Sequence, residues 1–576
     1  MDNALLLFML ACTAGPRSKG ASDTAGTVAT PGSGATSSTG ATTSTGDPTT
    51  PTGTGSSTGD TAGPEALLRV LGEPFQCTDP GARESARFDT VVVDTVDVSY
   101  IYDFGGGVSW LELDGDPDLE LIRTTESGWR LYDRTLVGWE EVTADRVPPQ
   151  ADTPVAAVTG ADIDGDLDLD LLVLAFDGPT VLLRNDGGSF TDITAGSGLQ
   201  ATDHDAQTGA WGDVDGDGDL DLFIGTYGEV PATLPSQQAH PAQLYLSHGD
   251  GTFEDVSDTL PPEVHGGYSF QGTWVDVDDD GDADLIVTND FPFREPNFIL
   301  RNDGTLPLLV DIDAGFGVGV SGMGTAVADL DGDTRPDFVL SALEEVAVLL
   351  ATDLPEGGVG YLRTDDAWGI RPLLGDPDLN QRFGWGVAVE DLDNDGPPEI
   401  LVRMGDTVLE PLPFDPEGPY WNAQPDGLWV QSSPGVWTDE AAAWGVADTG
   451  LGRGLVVADH DGDGWLDLLT ADLNGPTRVL TARCGASRAA AITLRDDRSP
   501  NRHAIGARLT VTNGPRTSHH WVLAGGTSLF SAGPTEVHVG VGEAATVDVL
   551  VRWPDGESTL EADVPTGRRV TLIRPP

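Results

Sequence analysis

The stretch WGDVDGDGDLDLFIG, residues 211–225, puts an aspartate at every second position from Asp213 to Asp221 and then runs straight into an apolar segment. Carboxylates this close repel one another, so either a cation sits among them or the segment stays open. The same phase recurs along the chain. Counting the first acid as position 1, carboxylates stand at positions 1, 3, 5 and 9 in seven places. These are Glu112, Asp114, Asp116 and Glu120; Asp162, Asp164, Asp166 and Asp170; and Asp213, Asp215, Asp217 and Asp221. Then come Asp276, Asp278, Asp280 and Asp284; Asp329, Asp331, Asp333 and Asp337; Asp391, Asp393, Asp395 and Glu399; and Asp459, Asp461, Asp463 and Asp467. First positions are 50, 51, 63, 53, 62 and 68 residues apart, so the unit is a structural repeat and not an accident of acidic composition.

Each turn is followed by a short β-type run, such as LDLLVLAF, ADLIVTN or PDFVLSA. Several repeats add a further strand and turn, as in VLLRNDGGSFTDIT (181–194), LYLSHGDGTFEDVS (244–257) and LWVQSSPGVWTDEA (428–441). Short strands, many turn residues and no amphipathic helical stretch indicate an all-β fold. A unit of this length holds four strands, the size of one propeller blade. The expected architecture is a seven-bladed β-propeller over 65–484, closed so that no sheet edge is left open. A small β-sandwich-like domain is expected over 485–576, where Val547, Val549 and Val551 alternate with polar residues before a turn at Asp555-Gly556.

The spacing 1, 3, 5, 9 suits a calcium turn, with alternate carboxylates directed inward and a main-chain carbonyl near position 7 completing an oxygen cage. The position-9 acid stands in for the closing glutamate of a helical calcium loop. Glycine at position 6 (Gly218, Gly281, Gly396, Gly464) permits the backbone reversal. Pro117, Leu167 and Thr334 occupy that position in three turns, which puts their occupancy in doubt. Up to seven structural Ca2+ ions are expected. Magnesium prefers octahedral sites that retain water, and the scarcity of His and Cys in the turns argues against zinc.

The formal charge of -64 repels phosphate and anionic lipid, so neither nucleic acid nor a bare membrane surface is expected as a partner. Abundant Ala, Gly, Pro and Arg with a single lysine, Lys19, is similar to GC-rich bacterial coding. The first residues, MDNALLLFMLAC, resemble a lipoprotein signal over 1–12, with Cys12 as the lipidated residue; a plain cleaved secretory signal is the alternative. Thr13 after the cysteine, by resemblance to lipoprotein sorting signals, favours the outer membrane or cell surface. Residues 13–64 are Ser, Thr, Gly and Pro with little to bury, a disordered tether. The expected location is extracytoplasmic, with the membrane reached through the lipid anchor alone. Cys77 and Cys484 flank the repeat region and are the candidate disulfide, with two free thiols as the alternative.

The repeats resemble the FG-GAP and VCBS repeats of integrin α-chain propellers, with Phe104-Gly105 and Phe383-Gly384 ahead of two of the turns. GMGTAVADLDGD (322–333) and LLRNDGGSFTDIT (182–194) resemble the cartilage acidic protein family and its bacterial relatives. NRHAIGARLTVTNG (501–514), GGTSLFSAGPTEVHVGVG (525–542) and VDVLVRWPDG (547–556) resemble the ASPIC/UnbV domain that follows such propellers. The resemblance implies a non-catalytic surface protein that recognises a protein or glycan partner, with calcium as a structural element. The inserts around 228–243 and 404–427 are candidates for the recognition face. The alternative is a propeller enzyme (a lyase, hydrolase or isomerase) of the cell envelope or of secondary metabolism. It would gather titratable groups with displaced pKa values at the channel mouth. No catalytic residues are assigned: His519-His520 reads as a surface pair on a strand, and His460, at position 2 of the last turn, as pointing away from the ion.

Overall fold

The computed structural model describes residues 67–576 apart from 80, 82, 84–86, 97–104, 177, 201–204, 228–239, 267, 293–295, 307, 312–314, 344, 356–357, 372–382, 406–423, 474 and 526–527. The signal with Cys12, the tether, Phe104 and most of both long inserts therefore lie outside the described residues.

Each acidic turn joins the first two strands of a four-stranded antiparallel sheet. The first strands of the seven sheets are Val108–Leu111, Val155–Ala161, Asp205–Gly212, Tyr268–Val275, Gly322–Ala328, Gly384–Glu390 and Gly452–Ala458. Each touches its successor, and the last touches the first, so these sheets form a closed ring of propeller type. Single helical turns such as Thr194–Ser197 and Ala441–Trp444 lead from an outer strand back toward the axis. No described helix is long and apolar enough to cross a membrane.

The core lies in the seams between neighbouring sheets. Ile122, Leu131, Val158 and Leu171 fill one seam, and Trp110, Leu121, Val456 and Leu469 fill the one that closes the ring. Because every sheet packs on both faces, second strands such as Asp170–Ala175 are buried throughout. This is why they appear in sequence as continuous apolar runs instead of alternating ones. Each fully buried Leu or Phe there contributes roughly 1.5–3 kcal/mol.

The seventh sheet takes its outer strand from the other end of the ring: Phe88–Val96 pairs antiparallel with Gly475–Ala482. Cys77 and Cys484 are joined in a disulfide beside that closure, with Cα atoms 5.6 Å apart.

The boundary at 484/485 needs correction in both directions. Leu68–Pro74 pairs with Arg568–Arg574 and so belongs to the C-terminal domain, not to the ring. That domain has two four-stranded sheets, one of 68–74, 568–574, 488–496 and 537–542, the other of 516–521, 508–513, 546–552 and 558–565. Its Trp553 is buried and donates Nε1–H to Thr559 Oγ1. Conversely, Ala524–Gly525 and Ser531–Ala532 leave the C-terminal domain and add short strands to the inner edges of the third and first sheets. Between them Leu529 and Phe530 are buried, with Phe530 edge-on to Phe176 and Phe270 from different sheets. The centre of the ring is thus filled by the chain's own C-terminal segment.

Candidate metal centres

The seven turns share one backbone path. Position 4 has a positive φ in all of them, at Gly115, Gly165, Gly216, Asp279, Gly332, Asn394 and Gly462. Sequence reading missed this position, although the Asp-Gly step in five turns signals it, and Asp or Asn adopts this region more readily than other side chains. Position 6 is also left-handed in six turns, including Leu167 and Thr334, both at φ 82°. The reversal therefore occurs without glycine there, and Pro117 in the first turn is the departure.

The acids converge. In the first, second and fourth turns, carboxylate oxygens from positions 1, 3 and 9 lie within 4.8 Å of one another; in the third turn those of Asp213, Asp215 and Asp217 do. In the fifth and sixth, Asp329 and Asp331 act on Asp337, and Asp391, Asp393 and Asp395 on Glu399, each by like-charge repulsion. The position-9 acid does more than close a cage. One of its oxygens accepts the position-2 amide, as Asp221 does from Val214 at 2.7 Å. The other accepts an amide of the third strand, as from Ser247 at 2.8 Å. It therefore ties turn and sheet together as well as facing the cage.

Two observations fit a hard cation. Glu120 Oε1, Asp164 Oδ1, Asp278 Oδ1, Asp391 Oδ2 and Asp393 Oδ1 are buried without a hydrogen-bond partner, all at ligand positions 1, 3 or 9. Burial, foremost, with the neighbouring carboxylates also contributing, pushes Glu120, Asp170, Asp221, Asp284 and Asp337 up to about 8 in the cation-free chain. Glu399 is pushed up to about 10 by the same causes. Buried carboxylate oxygens without a protein donor cost free energy unless a partner such as a cation is supplied. An oxygen-only donor set of this density suits calcium.

The turns are not equivalent. In the first, Arg146 reaches Asp114 at 2.7 Å and lies 3.9 Å from Glu120. In the fourth, Arg301 meets Asp278 and lies 3.4 Å from Asp284. In the seventh, the expectation that His460 points away is wrong. Its Nδ1 sits 2.5 Å from Asp467 Oδ2, and Trp110 stacks against the ring with centroids 5.1 Å apart. That stacking turns the side chain inward, and burial keeps the imidazole neutral.

The C-terminal domain covers the turn-bearing face of the ring. Between the two is a chamber of about 680 Å3 whose lining includes Glu390, Glu536, Ser518, His519, His520 and His538. The histidine pair is therefore half-buried at an internal face and not an open surface pair. Burial pushes Glu390 up to about 8 and holds His520 down to about 4. Ser518 Oγ lies 2.9 Å from His520 Nε2. Glu536 accepts Arg569 Nε–H at 3.0 Å.

Residues 497–576 match the family model described as ASPIC and UnbV, and residues 162–224, 233–287 and 276–340 match an FG-GAP-like repeat. Cartilage acidic protein 1 of Homo sapiens is 28% identical over 185 residues, 30% of this chain and 25% of that protein. The Mus musculus protein is 27% identical over 185 residues, 30% of this chain and 26% of that protein. The chain thus spans about a quarter of the length of these relatives. Among solved structures, one of an Agrocybe aegerita lectin, described for recognition of non-reducing terminal N-acetylglucosamine, is 17% identical. The match covers 69% of this chain and 94% of that one, with a TM-score of 0.36.

Proposed function

This chain belongs to the cartilage acidic protein-like family, FG-GAP-like repeats followed by an ASPIC and UnbV domain, and from that we propose an exported, calcium-binding surface protein that recognises a protein or glycan. An FG-GAP repeat propeller points to an interaction or recognition role. The calcium reading is carried by the partnerless carboxylate oxygens at ligand positions. Seven ions would each be held by acids at positions 1, 3, 5 and 9, and each would fix the turn between two strands of one sheet. Bound calcium supplies the positive charge that lets these carboxylates stay ionised and buried. The Cys77–Cys484 disulfide supports an oxidising compartment, in keeping with an N-terminal lipid on Cys12 and a membrane reached through that anchor. Recognition is assigned to surface loops, since the centre of the ring is filled by 524–525 and 528–532.

Calorimetric titration of the chelator-treated chain with Ca2+ and then Mg2+ tests the core of this reading. Heat and a rise in Tm with calcium, and much less with magnesium, are expected. A flat calcium titration defeats it.

The enzyme alternative is favoured by the chamber, where Ser518 meets His520 and burial displaces the pKa values of Glu390 and His520. Among the described residues no carboxylate is seen orienting that imidazole, so the contact is read as part of the domain interface. Labelling of Ser518 by a fluorophosphonate probe would reverse the choice.

A further inference from the structure

Four turns carry glycine at position 6, those beginning at Asp213, Asp276, Asp391 and Asp459. Left-handed backbone does not by itself require it, because Leu167 and Thr334 adopt the same φ. Close approach supplies a second reason at Gly396 and Gly464, with looser contact at Gly218 and Gly281. A Cβ on Gly396 would fall onto the Arg516 guanidinium, and one on Gly464 onto the Phe75 ring. Cβ atoms on Gly218 and Gly281 would come within 3.1 Å of Ser499 Oγ and 3.4 Å of Arg552 Nη2. All four neighbours belong to the C-terminal domain or to the segment directly after its N-terminal strand.

The same four turns are held through their main chain. Asn501 N–H donates to Gly218 O at 3.0 Å, Arg516 to Asp395 O at 2.9 Å and Arg569 to Asp459 O at 2.5 Å. Gly542 N–H donates to Asn394 O at 3.2 Å, and Arg552 Nη2 lies 3.4 Å from Asp279 O while its Nη1 bonds the Asp279 carboxylate. None of these uses the position-7 carbonyl, which stays available to an ion. The C-terminal domain's arginines approach ligand carboxylates at longer range, Arg552 at 3.6 Å from Asp276 and Arg569 at 3.9 Å from Asp459. Direct bonds to carbonyls outweigh those longer charge contacts, which would oppose a cation.

We propose that the C-terminal domain docks on the ordered backbone of these four turns, so that cation binding there and seating of the plug residues 524–525 and 528–532 are thermodynamically linked. The proposal rests on the calcium reading above. A cation fixes the turn carbonyls in the geometry the arginines and amides grip; without it, repelling carboxylates open the turn and the grip loosens. Linkage is reciprocal: if the ion favours docking, the docked domain favours the ion by the same factor. Seating in turn is continuous with the plug, where Val387 N–H donates to Ser528 Oγ and Leu455 N–H to Ser531 Oγ.

The test is hydrogen–deuterium exchange of the full unmodified chain, with calcium and with chelator at constant ionic strength. It is paired with calcium calorimetry of the Arg516→Met/Arg569→Met double variant. Chelation is expected to speed exchange in 537–542 and 528–532 at least as much as within the turns themselves. The variant is expected to lose about fivefold or more in affinity at two sites, the low end of usual coupling factors. Faster exchange confined to the turns overturns the linkage, as does a variant that binds calcium like the unmodified chain. A flat titration of the unmodified chain brings down both this proposal and the calcium reading.

Discussion

Gly396 and Arg516, 120 residues apart, occupy the same space: a β-carbon on the glycine would sit on the guanidinium that bonds Asp395 O. Gly396 is also left-handed, with φ 111°. Gly396→Ala therefore meets both a forbidden backbone and a displaced arginine, and a loss of about 2–3 kcal/mol is expected in urea unfolding with calcium present. Thr334→Gly is the opposite case, since Thr334 is exposed with φ 82°. There relief of strain offsets the added freedom of the unfolded chain, and a gain of about 0.5–1 kcal/mol is expected. A gain from Gly396→Ala would show that the domain contact is not made.

Chelated protein should become less stable as pH rises from about 4 to 8. Five position-9 acids, Glu120, Asp170, Asp221, Asp284 and Asp337, have folded pKa values raised to about 8 from an ordinary 4.5 or 3.8. Between those values the folded chain holds more protons than the unfolded one, so raising pH favours unfolding. Stability from this source is full below about pH 4 and gone above about pH 8. Calcium replaces the protons, so the difference in Tm between calcium-loaded and chelated samples should widen across that window. A difference that is constant from pH 5 to 8 would show that these carboxylates do not face the ion.

Reduction of Cys77–Cys484 should open the ring at one seam. The bridge spans 407 residues of sequence and sits beside the pairing of Phe88–Val96 with Gly475–Ala482. A cross-link closing so long a loop typically contributes about 3–5 kcal/mol. The Cys77→Ser/Cys484→Ser variant should lose that much in denaturant, and amide exchange should rise first in 88–96. Uniform loss of protection over all seven sheets, with no lead at this seam, would assign the bridge a different role.

The fold was legible because the acids keep phase: positions 1, 3, 5 and 9 mark each turn, and the apolar run after position 9 marks the next strand. What sequence could not show comes from contacts between distant segments. Phe88–Val96 looks like any strand, and nothing local tells that it completes the last sheet instead of the first. Leu68–Pro74 likewise reveals its partner, Arg568–Arg574, only in three dimensions. His460 read as outward because alternation in a tight turn predicts it; the Trp110 ring from the neighbouring sheet overrides that local rule. Glycine at position 6 read as a backbone requirement, and Leu167 and Thr334 show that a second cause, close approach of the C-terminal domain, was needed.

In the first turn, as in the fourth, a protein cation already stands at the cage, and here the backbone departs as well. Arg146 touches Asp114 and Asp133 and approaches Glu120, whose Oε1 has no hydrogen-bond partner. Pro117 meanwhile denies this turn the position-6 reversal seen in the other six. This turn should therefore be the last to take calcium in a native mass-spectrometric titration. Above about pH 8, where Glu120 is ionised in the cation-free chain, Arg146→Met takes away the arginine that approaches this fully buried carboxylate, and removing one partner of a buried charge set usually costs about 3–5 kcal/mol. Partial exposure of Arg146 lowers that, so about 2–3 kcal/mol is expected in chelator. In saturating calcium the ion takes over the arginine's position, and the loss should fall below about 1 kcal/mol, with tighter binding at this turn. An equal loss in both conditions would mean that calcium never enters the first turn, and that Arg146 is its permanent counter-charge.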